Sequence, residues 1–128
     1  MIEAPVEDRL KERLESIGFK VLKLTTPGNS GVMDRMILRP KWAPGPPYFV
    51  ECKRPGKSER LLQEKVRDEW RERGCSVLDV CDSYERVDAI LADIGIVAVH
   101  AAERDGVRVP PHVYRSVWAA LGGERSYG

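Results

Sequence analysis

GVMDRMILRPKWAPGPPYFVECK, residues 31–53, is the stretch whose reading decides the fold. Asp34 opens an apolar run through Met36, Ile37 and Leu38, which reads as a strand over 34–39. A second run, Tyr48-Phe49-Val50, closes on Glu51-Cys52-Lys53 and reads as a strand over 48–53. Between them, four prolines and Gly45 exclude both helix and strand, leaving a turn-rich connection. Two strands joined this closely pair antiparallel. Asp34, at the start of the first, then lies beside Glu51 and Lys53, at the end of the second. Side chains alternate along a strand, so Phe49, Glu51 and Lys53 share one face. Phe49 would anchor that face while Glu51 and Lys53 reach its mouth, an arrangement that a one-residue slip in register would undo.

Two converging carboxylates with an ammonium beside them are what phosphodiester hydrolysis by a divalent cation requires. Asp34 and Glu51 would hold Mg²⁺ or Mn²⁺, and Lys53 would orient or polarise the attacking water and steady the transition-state charge. The residues point to a small metal-dependent nuclease.

Working outward, Val6, Leu10, Leu14 and Ile17 form the stripe of an amphipathic helix over about 5–17, with Pro5 in its first turn and Gly18 as its stop. Phe19 to Leu24 alternates apolar and basic residues as a half-buried strand does, and residues 25–31 (TTPGNSG) form a loop. Ser58 is placed to cap a helix running to Arg73, with Leu62, Val66 and Trp70 inward and Gly74 beyond its end. Ser76 to Cys81 reads as a further strand. Asp82 and Glu85 read as a capping box for a helix bearing Val87, Ile90 and Leu91. Gly95 to Ala102 fits helix or strand, and Pro111 to Leu121 reads as a terminal helix with Val113, Val117 and Trp118 inward. A close hairpin followed by a crossover helix and another strand implies an α/β fold with a mixed sheet flanked by helices.

A chain of 128 residues is one ordinary domain with room for a hydrophobic core. No apolar run is long enough to span a membrane, and the N-terminus lacks the basic-then-apolar plan of a signal peptide, so the expected compartment is the cytoplasm. Three cysteines, Cys52, Cys75 and Cys81, show no paired ligand spacing and read as reduced thiols. A net charge of +1 gives no overall nucleic-acid-binding signature, yet basic residues crowd the half that contains the acids. Of these, Arg35, Arg54, Lys57 and Arg60 are candidate phosphate contacts, although a solvated loop accounts for the last three nearly as well.

The order of elements resembles the PD-(D/E)XK nuclease superfamily, and within it the VRR-NUC family of virus-type replication and repair nucleases. Small stand-alone members typical of phages are similar in length to this chain. The resemblance spans roughly residues 3–85 and rests on Glu3 and Glu7, Gly31 to Arg35, Phe49 to Lys53, and Ser58 with Gln63. Met33 departs from the proline of the superfamily's name, at a position that varies. The resemblance implies a restriction-endonuclease-like core of helix-strand-strand-strand-helix-strand order, about residues 3–93, within a single nuclease domain over 1–128. The extension 94–128 is assigned no role. It also implies a catalytic set of Asp34, Glu51, Lys53 and Gln63. The metal shell would comprise Asp34, Glu51, the Cys52 carbonyl and Glu7.

The implied activity is Mg²⁺- or Mn²⁺-dependent endonucleolytic cleavage of DNA, with branched or junction DNA as candidate substrates in replication, recombination or repair. The setting would be the cytoplasm of a bacterial or phage-infected cell. Junction cutting would favour a homodimer or higher homo-oligomer. The contrasting reading is a non-catalytic nucleic-acid-binding or assembly module that retains the fold, but the joint presence of Asp34, Glu51 and Lys53 speaks for catalysis. Glu7 reads equally well as a solvated carboxylate paired with Lys11 at i+4.

Overall fold

The structure, a computed structural model, describes residues 5–25, 33–53 and 61–122. Glu3, Gly31, Arg54, Lys57, Ser58 and Arg60, all singled out in the sequence, lie outside the described residues, as does the side chain of Leu62. The elements are α1 (Val6–Glu15), β1 (Lys20–Lys23), β2 (Arg35–Leu38), β3 (Tyr48–Val50), α2 (Leu61–Glu72), β4 (Ser76–Val77), α3 (Tyr84–Arg104) and α4 (Pro111–Ala120).

Helix α1 forms because Val6, Leu10 and Leu14 recur at one-turn spacing, and all three are buried. Each such side chain contributes about 1.5–3 kcal/mol on leaving water. The helix ends at Glu15, and the turn after it passes through Gly18, whose φ of +102° is strained for any residue with a Cβ. A Cβ there would also stand 2.8 Å from the Trp42 indole nitrogen, which donates a hydrogen bond to the Ile17 carbonyl.

The sheet runs β1-β2-β3-β4, with the first two pairings antiparallel and the third parallel. The β2–β3 register sets Arg35 opposite Val50 and Met36 opposite Phe49. Carried one residue further, it sets Asp34 opposite Glu51, so both side chains leave the same face of the sheet. The opposite face carries Val21, Ile37, Tyr48 and Val50 into the core shared with α1 and α3. Helix α2 covers the Asp34–Glu51 face, where the Phe49 and Trp70 rings meet edge to face at 5.3 Å. The fold is therefore the mixed α/β sheet flanked by helices that the sequence implies.

Several details differ from the sequence reading. The strands are shorter than their apolar runs. Beyond Val50 and Val77 the pairing continues only as a parallel bridge between Cys52 and Cys81. Ser83 rather than Asp82 caps α3, because its extended backbone brings Oγ to the Arg86 N–H at 3.1 Å. Gly95 to Ala102 is helical, and α3 runs unbroken across the expected boundary at residue 94. Its second half and α4 add Ala98, Val99, Val113 and Val117 to the same core cluster. Trp118 is exposed, since α4 buries Val113 and Val117 and turns the indole outward.

Candidate active site

Three segments build the site. The residue before β2 supplies Asp34, the residues after β3 supply Glu51 and Lys53, and the first turn of α2 supplies Gln63. The Cys52 N–H donates to Asp34 Oδ1 at 3.0 Å and fixes that carboxylate across the strand pair. Glu51 is buried, and its Oε1 accepts from the Gln63 amide Nε2 at 2.8 Å. Lys53 Nζ stands 3.5 Å from the same oxygen. One carboxylate oxygen thus faces an amide donor and an ammonium together. The strand end that carries it is fixed from the far side by backbone bonds. Cys81 N–H donates to the Glu51 carbonyl and Lys53 N–H to the Cys81 carbonyl, each at 2.9 Å.

Burial pushes the Asp34 carboxyl above its ordinary value. The Cys52 N–H and the Arg35 guanidinium oppose the rise, while the charge of Glu7 adds to it. Glu7, half-buried on α1, therefore acts on Asp34 through its field. Among the described residues, no three His, Cys, Asp or Glu side chains are grouped closely enough to hold an ion between them. The donor set is still the one a hard cation uses. Mg²⁺ is commonly bound through one or two carboxylates, keeping several waters, and Asp34 and Glu51 are the carboxylates that could hold it here.

Arg35 is occupied locally. Its guanidinium donates to the Asp34 carbonyl at 3.0 Å and lies 3.4 Å from Oδ2. With 14% of its side chain exposed, it has little surface to offer a phosphate. Cys52 also touches Cys81, and that contact, together with burial, pushes the Cys52 thiol far above its ordinary value.

Sequence reasoning missed Arg67, which is buried on α2 one turn beyond Gln63. A basic residue on an amphipathic helix reads as solvated. The signal that could have found it is its i+4 spacing from Gln63, which puts both on the sheet-facing stripe.

Comparison with known proteins bears on the fold. A solved structure described as a VRR_NUC domain superposes with a TM-score of 0.56 at 32% identity, covering 67% of this chain and 89% of that one. No family model matches the chain, and no curated protein matches it. The likeness to that solved structure marks a nuclease-type domain. The chain belongs to the VRR-NUC family. No helix among the described residues is long and apolar enough to cross a membrane.

Proposed function

We propose that this chain is a divalent-metal-dependent deoxyribonuclease whose site is Asp34, Glu51 and Lys53. The observation that carries the reading is the convergence of Lys53 and Gln63 on one oxygen of Glu51, with Asp34 anchored opposite by the Cys52 amide. Asp34 and Glu51 would hold Mg²⁺ or Mn²⁺, with the Cys52 carbonyl as a neutral oxygen donor and Glu7 contributing charge from α1. When bound, such a cation would supply Lewis-acid polarisation of the phosphate and would acidify water.

The chain's own groups do the rest. Lys53 orients the attacking water and offsets negative charge gathering on the phosphate. Gln63 keeps Glu51 in one rotamer, so the carboxylate need not reorganise during the reaction. Arg54, Lys57 and Arg60 are the phosphate contacts of this reading, on DNA that includes branched or junction forms. Two copies acting together would supply the paired cuts a junction needs. Residues 1–128 act as one domain in this reading, in a cytoplasmic setting.

The test is cleavage of linear, single-stranded and four-way DNA by purified protein, with Mg²⁺, with Mn²⁺ and with chelator. Metal-dependent cleavage by the wild type that Asp34→Ala abolishes is the expected result. Equal cleavage by the Asp34→Ala protein, or cleavage that survives chelation, overturns the reading.

A further inference from the structure

Cys52 and Cys81 face each other across the parallel bridge that extends β3 and β4 to the site. Bridge partners on neighbouring strands have Cα atoms roughly 4.8 Å apart, within the roughly 4.4–6.8 Å that a disulfide spans. Partners in such a bridge send their side chains from the same face, so the two thiols are neighbours. Little backbone movement therefore separates the dithiol from a disulfide. Cys52 is also the residue whose amide fixes Asp34, and it lies between Glu51 and Lys53.

We propose that Cys52 and Cys81 form a reversible disulfide that switches off the Asp34–Glu51–Lys53 site. Its effect on cleavage rests on the nuclease reading above, whereas its formation does not. The oxidant is a peroxide. One sulfur attacks the O–O bond of hydrogen peroxide, giving a sulfenic acid and water. The second sulfur then displaces the sulfenic oxygen, which leaves as water, and the S–S bond forms. Each thiol gives up one proton and one electron, and the peroxide is reduced to two waters. A dithiol reductant reverses the bond by exchange.

Closing the bond brings the sulfurs to about 2.05 Å. That draws Cys52 toward β4 and its amide away from Asp34. A misplacement of about 1 Å in a catalytic arrangement costs on the order of a hundredfold in rate.

The experiment treats the reduced full chain with hydrogen peroxide and digests it without reductant for mass measurement. The expected result is a Cys52–Cys81 linked peptide lighter by two hydrogens, with amide-hydrogen exchange at Cys52 faster than in the reduced chain. Cleavage should slow by at least tenfold, and dithiothreitol should restore it. Cys81→Ala should keep the reduced rate and ignore peroxide, while Cys75→Ala should respond as wild type does. The wild-type comparison before and after dithiothreitol carries the result even where a variant fails to fold. Absence of the linked peptide under peroxide that oxidises Cys75 overturns the proposal. So does a linked peptide with unchanged exchange and cleavage. Absence of cleavage by the reduced chain counts against the nuclease reading instead, and the cross-link and exchange readouts still decide the switch.

Discussion

Gln63 and Glu51 join the first turn of α2 to the end of β3, the amide Nε2 donating to carboxylate Oε1 at 2.8 Å. This single bond makes the position of a buried acid depend on a helix that begins ten residues further along the chain. Helix docking and site geometry are therefore one event.

Replacing Gln63 with Ala should leave the fold intact and lower kcat about 10- to 100-fold, the usual cost of removing a group that orients a ligand. KM for DNA should change little, because the amide holds the acid and not the substrate. Steady-state kinetics with circular dichroism checks this. An unchanged kcat would remove Gln63 from the site.

Lys53→Ala should keep most divalent-ion affinity and lose on the order of 10²-fold or more in kcat, because its assigned work is on water and developing charge. Calorimetric titration with Mn²⁺ alongside the cleavage assay separates the two effects. Lost metal affinity with kcat retained would reverse the assignment.

Asp34 should show a conflict between stability and function. Its carboxyl is raised by burial, so the folded chain holds the proton more tightly than the unfolded chain does. Its contribution to stability is greatest below the ordinary carboxylate range and is lost as pH rises through the raised value. In metal-free buffer at pH 7, Asp34→Asn should therefore raise Tm by up to about 2 °C, the scale of a partly solvent-screened charge. The gain should vanish in acid, and cleavage should be lost. Thermal melts at acid and neutral pH test the sign.

Arg71 closes the C-terminal end of α2 onto β4, donating twice to the Val77 carbonyl, at 3.0 and 2.8 Å, as well as to Asp79. Arg71→Ala should cost about 1–2 kcal/mol through the carbonyl bonds. Asp79→Ala should cost less than about 0.5 kcal/mol, since that pair is exposed. Asp79 is held below the usual carboxylate range chiefly by its Arg71 hydrogen bond. Its small contribution is present above the ordinary range and lost as pH falls through the lowered value. Urea denaturation of both variants at pH 7 gives the ranking.

Gly95 lets α4 approach α3, and a Cβ there would meet Val117 Cγ2 at 2.8 Å. Gly95→Ala should destabilise by about 1–2 kcal/mol, as overpacking outweighs the roughly 1 kcal/mol gain in helix propensity. Pairing it with Val117→Ala should recover stability relative to Gly95→Ala alone, as a double-mutant cycle would report.

The sequence made the β2–β3 pair legible because a proline-rich connection can only turn, and alternation then assigns faces. Gln63 came from the family resemblance, and its place on α2 is consistent with the stripe of Val66 and Trp70. Helix α3 was harder to read. Gly95 argues locally against a long helix, and only the distant Val117 explains why glycine stands there. The Ser83 cap hid behind Asp82 because both residues can cap, and backbone direction chooses between them. Arg67 and Trp118 share one cause: burial on an amphipathic helix depends on which neighbour covers it, and that neighbour lies elsewhere in the chain.

Strand order in the sheet is also strand order in the chain. A polypeptide leaving the ribosome N-terminus first can lay each strand beside the one before it. The last partner to arrive is Cys81, 28 residues after Lys53, and it supplies the backbone bonds that align Glu51 and Lys53. A nascent chain thus carries its acids and lysine well before it carries the scaffold that sets them, and competence for chemistry is deferred until synthesis has passed β4.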